Sequence, residues 1–293
     1  MMERVAILGL GLMGGALGLA LKARGCCKTV TGYARREATR DEALRLMVVD
    51  AVCADPAEAV RDADLAILCV PVYSMQALAV AACGGLKPGC IVTDVGSTKA
   101  LLTEQIRLSL RGSDGVFIGS HPIAGSEQQG LAAARADLYE GAVTIVTRDG
   151  SEPKEALERV SALWRCVGSV VRVMEPAEHD RIMARTSHLP HIAAALVAAT
   201  VGRTNEADQL GAFCGPGFRD VTRVAEGSPD VWMDVLQSNR PAVAAELHQL
   251  KTRLEAVLAT LESNDAMALR KFLEESRAAR RALREKNNLR GEV

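Results

Sequence analysis

The stretch "GSHPIAGSEQQG", Gly119 to Gly130, sets one imidazole, His121, among small residues and a proline. The chain has only five histidines, and neutral imidazole is the side chain best matched to accepting a proton near neutral pH. A second chemical stretch opens the chain: "VAILGLGLMGGALG" carries Gly9, Gly11 and Gly14 in GxGxxG spacing between an expected strand and an expected helix. Glycines there permit a sharp turn, a close backbone approach to a pyrophosphate and tight helix–strand packing, while the helix N-terminus offers unpaired N–H groups to the anion. A turn kept glycine-rich only for packing is the competing reading. Its place at the head of a long α/β alternation favours dinucleotide binding, with Leu12, Met13, Val70 and Pro71 expected in the same cofactor site.

An acidic residue that holds the adenosine ribose is expected about 20 residues beyond such a fingerprint. Here the second strand ends in Tyr33-Ala34-Arg35-Arg36. Two guanidiniums in place of a carboxylate suit a 2′-phosphate, so NADP is the preferred cofactor, with NAD the alternative. In that alternative Arg35 and Arg36 are a solvated helix start and Glu37 meets the ribose.

Three more stretches carry candidate groups. In "DVGSTK", Ser97 follows an expected strand and, taken alone, reads as the N-cap of a helix beginning at Thr98. In "GFRDVTRVA", Arg223 can hold a carboxylate with two parallel bonds. Arg219, four residues earlier, shares its face if the stretch is helical, or else forms a structural salt bridge with Asp220 or Glu226. In "SHLPH", His188 and His191 stand three apart on an expected helix. No carboxylate or cysteine set completes a metal site and HExxH is absent, so no metal is expected. His179 in "AEHD" and His248 in "ELHQL" read as solvated helix residues.

The elements that must position these groups change character once. Short apolar runs alternate with amphipathic ones to about Met174, the signature of a parallel sheet covered on both faces; after "EPAEHD" the periodicity is helical. The expected fold is an N-terminal α/β Rossmann-type domain over residues 1–175, followed by an all-helical substrate-binding and dimerisation domain over residues 176–293. A length of 293 residues suits two such domains. Thirty-five Lys plus Arg against 36 Asp plus Glu give a net charge of −1, without the basic surplus that nucleic-acid binding requires. Eight cysteines without CxxC spacing read as reduced core thiols of a cytoplasmic protein. There is no cleavable signal pattern and no apolar run of membrane-spanning length.

Taken together, in this order and spacing, the fingerprint, "DVGSTK", "GSHPIAG", "SHLPH" and "GFRDVTRVA" make the chain resemble the prephenate and arogenate dehydrogenases of tyrosine biosynthesis over residues 4–285. The resemblance implies oxidation of a 4-hydroxycyclohexadiene carboxylate with hydride transfer to the nicotinamide and loss of carbon dioxide. It makes His121 the catalytic histidine of an "HPMAG"-like motif, here with Ile123 in place of methionine. Ser97 would hydrogen-bond that histidine and the substrate hydroxyl, Arg223 would be the substrate arginine, and His191 would lie near the substrate side chain. That second histidine leans toward prephenate over arogenate. Ser126 and Glu127, just after the histidine, are expected to face the same cleft. The family's glycine-rich lead reads "CGPGF" here, with Pro216 where glycine is more usual.

The span leaves no room for a fused chorismate mutase or a C-terminal regulatory domain, which some members carry. The apolar rows in "HIAAALVAATVG" and "VLQSNRPAVAAELHQLKTRLEAVLATL" exceed what one small helical domain needs, and family members dimerise through such helices, so a homodimer is expected. Two other readings compete. A hydroxyacid dehydrogenase with a catalytic lysine on the first helix of its second domain is disfavoured, since residues 177–200 contain no lysine. A non-catalytic NADP-sensing protein would have no use for His121, Ser97 and Arg223 together.

Overall fold

The computed structural model describes residues 2–124, 128, 130–203 and 210–288. The chain divides into two compact units, one ending at Arg240 and the other beginning at Pro241. The first unit opens with strands and helices in strict alternation: β1 Met2–Leu8, α1 Leu12–Ala23, β2 Cys27–Tyr33, α2 Glu37–Arg45, β3 Ala51–Cys53, α3 Pro56–Val60, β4 Leu65–Leu68, α4 Val72–Cys83, β5 Ile91–Asp94, α5 Ala100–Ser109 and β6 Val116–Phe117. The six strands form one sheet in the order β3-β2-β1-β4-β5-β6, all neighbours parallel. This is the doubly wound order, with its topological switch beside β1. "LAIL" and "IVTD" are buried throughout, as central strands covered on both faces must be. Alternation along β1 feeds two cores: Val5 and Ile7 pack with Leu17 and Leu21, while Ala6 and Leu8 pack with Leu68 and Leu78 on the other face.

The expectation that "AVTIVTRD" and "SVVRVM" extend this same sheet is corrected. β7 Ser120–Ile123, β8 Val143–Thr147 and β9 Val170–Met174 form a separate three-stranded sheet, β7 antiparallel to β8 and β8 parallel to β9. The reason is chain length. A parallel neighbour needs a crossover of a dozen or more residues, and β6 ends at Phe117, just before β7 starts at Ser120. β8 and β9 are joined by a helical crossover, α6 Lys154–Cys166, and pair in parallel.

Helices follow: α7 Pro176–Met183, a π-helical turn Ala184–His188, α8 Leu189–Gly202, α9 Pro216–Thr222 and α10 Pro229–Ser238. Pro216 is the first residue of α9, where its fixed φ and missing N–H cost nothing. The second unit is built on α11 Arg240–Glu262 and α12 Ala266–Asn288. Among the described residues no helix is long and apolar enough to cross a membrane. The reading of all cysteines as reduced thiols is also corrected: Cys26, at the turn after α1, and Cys166, at the end of α6, form a disulfide with their Cα atoms 6.0 Å apart.

Candidate active site

The three glycines of the turn differ in what surrounds them. Gly9 has φ +115°, and a Cβ there would sit 2.5 Å from the Cys69 carbonyl oxygen. A Cβ on Gly14 would lie 1.9 Å from the carbonyl oxygen of Gly9, so helix and strand meet at a distance only glycine allows. Gly11, by contrast, faces open space: an added Cβ would meet no protein atom within 4 Å. That space belongs to a cavity of about 430 Å³ whose wall includes Gly11, Leu12, Met13, Val70, Pro71 and Ser97. The glycine geometry and open cradle fit a dinucleotide pyrophosphate on the N-terminus of α1. A second depression, of about 490 Å³, shares none of these residues, and its Arg107 is already paired with Asp149 and Glu152.

Tyr33 ends β2, while Arg35 and Arg36 are exposed and Arg36 is the cap residue of α2. Arg40 donates from Nη1 to the carbonyls of Ala34 and Arg35 at 2.9 and 3.0 Å, bringing a third guanidinium to this loop. No motif in the sequence marks Arg40 for this place.

Ser97 lines the cavity, but it is not a helix cap. α5 begins at Ala100, and its first amides are capped from another element: Asp180 Oδ1 accepts from the Lys99 N–H at 2.8 Å and Oδ2 from the Ala100 N–H at 2.9 Å. A carboxylate from α7 outcompetes a local hydroxyl, since it satisfies two orphan donors with one charge.

Beneath this loop lies a buried polar frame. Lys99 Nζ pairs with the Asp94 carboxylate and donates to the Ser120 carbonyl at 2.8 Å; both ionic side chains are 0% exposed. Burial lowers the Lys99 pKa, against the attraction of Asp94. Asp94 also accepts the amides of Gly96 and Ser120. The Ser120 hydroxyl donates to the Asp94 carbonyl at 2.5 Å and accepts from Trp164 Nε1 at 3.0 Å and from Thr93 Oγ1 at 2.8 Å. Its one hydrogen and two lone pairs are all used.

His121 follows Ser120 and is therefore held inside an antiparallel strand, paired with Ile145. That strand belongs to the smaller sheet, not to the parallel one. Its Nδ1 lies 2.8 Å from His179 Nε2, and His179 Nδ1 lies 2.7 Å from Asp180 Oδ1. Burial holds the His121 pKa well below 6.5, helped by His179, Lys99 and His188, so the ring is a neutral acceptor at pH 7. His179 was read as solvated; it is 0% exposed. The buried residues of α7 are Pro176, His179, Asp180 and Met183. That i, i+3, i+4, i+7 set is one helix face, and its spacing was the available signal.

His188 and His191 do point together. His188 meets Trp232 edge-on at a 6.2 Å centroid distance, and His191 stacks on the same indole at 3.5 Å and 11°. Trp232 lines the cavity. His188 Nδ1 is 3.2 Å from Asn239 Nδ2, which also donates to the Asp180 carbonyl at 2.7 Å. The buried Nδ1 of His191 has no partner among the described residues. Arg219 in α9 and Arg223 in the 3-10 turn after it are exposed. Ser126 and Glu127 lie outside the described residues, and His248 is exposed in α11. No trio of His, Cys, Asp or Glu arranged to hold a metal occurs among the described residues.

A doubly wound sheet with a glycine-cradled cavity, followed by a strand that presents a neutral histidine, defines a nicotinamide-dependent dehydrogenase. The chain matches the model of the prephenate dehydrogenase nucleotide-binding domain over residues 17–173 and that of the prephenate dehydrogenase dimerization domain over residues 175–275. It is 33% identical to the cyclohexadienyl dehydrogenase of Zymomonas mobilis across 98% of each chain. It is 32% identical to the prephenate dehydrogenase of Bacillus subtilis, covering 97% of this chain and 76% of that one. Two solved structures are similar. One is the prephenate dehydrogenase of A. aeolicus in complex with hydroxyphenyl propionate and NAD+ (TM-score 0.89, 29% identity, 97% of this chain and 99% of that one). The other is the arogenate dehydrogenase of Synechocystis (TM-score 0.83, 25% identity, 96% and 100%). The chain belongs to the prephenate dehydrogenase family.

Proposed function

We propose that the protein converts prephenate to 4-hydroxyphenylpyruvate and carbon dioxide, with His121 as the general base. As hydride leaves the ring carbon that bears the hydroxyl, the hydroxyl proton passes to His121, the carboxylate carbon is lost as carbon dioxide, and the ring becomes aromatic. The bound nicotinamide supplies the hydride acceptor. The chain's own groups bind, orient and take the proton. Gly9, Gly11 and Gly14 seat the dinucleotide with Leu12, Met13, Val70 and Pro71 beside it; Ser97 meets the substrate hydroxyl; Arg223, with Arg219, holds substrate carboxylates; His191 approaches the side chain. The observation that carries the reading is the imidazole of His121, hydrogen-bonded to His179 and fixed on the strand that follows the parallel sheet. Arogenate is the second reading, and a steady-state assay of reduced-nicotinamide absorbance with prephenate and arogenate tests both. Turnover of neither would remove the function.

NADP is the proposed cofactor. Its support is the absence of a carboxylate at the end of β2 and the presence there of Arg35 and Arg36, with Arg40 reaching the same loop. If NAD binds more tightly and Arg35→Ala leaves both affinities unchanged, NADP is the wrong choice.

Residues 1–175 are proposed as the dinucleotide-binding part and 176–293 as the substrate-binding and dimerising part of a homodimer. On α11, Leu254, Leu258 and Leu261 are 66, 53 and 57% exposed and share a face, the area such a contact would cover. A monomeric mass in solution scattering would remove the dimer. A cytoplasmic location goes with this biosynthetic reading, and the Cys26–Cys166 bond is unusual for it; cell fractionation decides.

A further inference from the structure

We propose that His179 and Asp180 are positioning residues that hold neutral His121 in the tautomer with its hydrogen on Nδ1 and its lone pair on Nε2. The inference rests on the reading of His121 as the base and specifies which of its nitrogens does the work.

Asp180 takes two backbone N–H bonds, one on each oxygen, from Lys99 and Ala100. Amides only donate, so Asp180 accepts through both of its oxygens. Its Oδ1 also lies 2.7 Å from His179 Nδ1, which must then carry a hydrogen. His179 has no contact with water, and burial lowers its pKa, with Asp180 opposing and Lys99 reinforcing the shift. A neutral His179 with hydrogen on Nδ1 has a bare Nε2. That nitrogen is 2.8 Å from His121 Nδ1, so the hydrogen between the rings belongs to His121. Nδ1 of His121 is thus committed, and Nε2 is left to meet the substrate hydroxyl.

This arrangement does three things. It selects the Nδ1–H form, whose bare Nε2 is the base. It fixes the ring plane, because the imidazole hangs from a partner that is itself hung from the N-terminus of α5. When Nε2 takes the substrate proton, the new positive charge is stabilised through His179 by the Asp180 carboxylate, the role an acidic residue plays behind a catalytic histidine elsewhere. Asp180 serves the helix and the histidine at once, so α5, which follows Ser97, and the base on β7 are registered to one carboxylate.

The direct test is 15N NMR of histidine-labelled protein at neutral pH, with His121→Asn identifying the His121 signals. The expected result is protonated Nδ1 and unprotonated Nε2. A protonated Nε2 with bare Nδ1 would mean a charged His179 drives the bond the other way, and the proposal would be wrong. Kinetics supply the second arm. His179→Leu should lose about 100-fold in kcat with KM and cofactor affinity little changed, whereas His179→Gln, whose amide oxygen can accept from His121 Nδ1, should stay within about tenfold of the parent. Equal rates for parent and His179→Leu overturn the proposal. If His179→Leu does not fold, the tautomer measured in the parent decides alone. The Nδ1–H form in a protein that turns over neither substrate upholds the hydrogen-bond chain and removes the base role of His121 instead.

Discussion

Tyr139 donates its hydroxyl hydrogen to the carbonyl of Met13 across 2.7 Å, tying a fully buried ring to the first turn of α1, next to the glycine-rich turn. The same ring packs on Trp164 at a 5.4 Å centroid distance, and Trp164 donates to Ser120, the residue before His121. One aromatic pair therefore links the first turn of α1 to the strand that bears His121. Tyr139→Phe removes one hydrogen bond from a carbonyl in the first turn of α1 and should cost about 0.5–1.5 kcal/mol of stability. Its functional mark should be a higher KM for the nicotinamide cofactor with kcat changed less, read from initial rates at saturating substrate. Unchanged cofactor KM would show that the turn holds its shape without Tyr139.

The glycines of the turn separate packing from binding. Gly14→Ala places a methyl 1.9 Å from the Gly9 carbonyl and should destabilise or unfold the domain. Gly11→Ala meets no protein atom within 4 Å. It should melt within a few degrees of the parent and yet bind NAD and NADP at least tenfold more weakly, because the methyl occupies the space a pyrophosphate needs. Calorimetric melting beside cofactor titration checks both. Tight binding by Gly11→Ala would place the dinucleotide elsewhere.

Much of this architecture was legible in the sequence because its signals are local. GxGxxG, the strand alternation and the helical second half each occupy a continuous window, and cavity, sheet and helices follow them. What escaped was non-local or read from too short a window. The two-residue link after β6 turns the chain into a second sheet, a matter of crossover length. The Cys26–Cys166 bond joins residues 140 apart, which spacing does not pair. The cap of α5 comes from Asp180, 80 residues beyond Ala100, so a plausible local cap at Ser97 was displaced. His179 sits in the polar run "PAEHD", and only the helix face from Pro176 to Met183 shows that it points inward.

The Lys99–Asp94 pair is a second place where burial decides the outcome. Lys99→Met removes one charge and leaves the Asp94 carboxylate sealed at 0% exposure, a change that costs about 3–5 kcal/mol when a buried pair is broken from one side. The Ser120 carbonyl loses a donor as well, so the strand bearing His121 should loosen and kcat should fall. Denaturant unfolding reads the first effect and steady-state rates the second. A stability loss below about 1 kcal/mol would mean that the two amides donated to Asp94 suffice to hold it.

Histidine burial sets the pH dependence. His188 is pushed down to about 4, mainly by burial, with Asp180 opposing and His179 and His191 adding to the shift; His121, His179 and His191 are lowered as well. In the unfolded chain these rings titrate near 6.5. Between about pH 6.5 and 4 the unfolded state therefore binds more protons than the folded one, and stability rises with pH across that window. The carboxylates Asp50, Asp64 and Asp149 have lowered values too and act with the same sign, stability rising with pH, but only in a window below the ordinary aspartate value. Unfolding midpoints in urea should accordingly drop from pH 7 to pH 5, before any aspartate is involved, and His188→Asn should flatten that slope. The catalytic profile should share the cause: kcat/KM reports the free enzyme, so its acid limb should lie below pH 6.5, where His121 at last takes a proton. An acid limb at or above 6.5 would place a different group in the role of base.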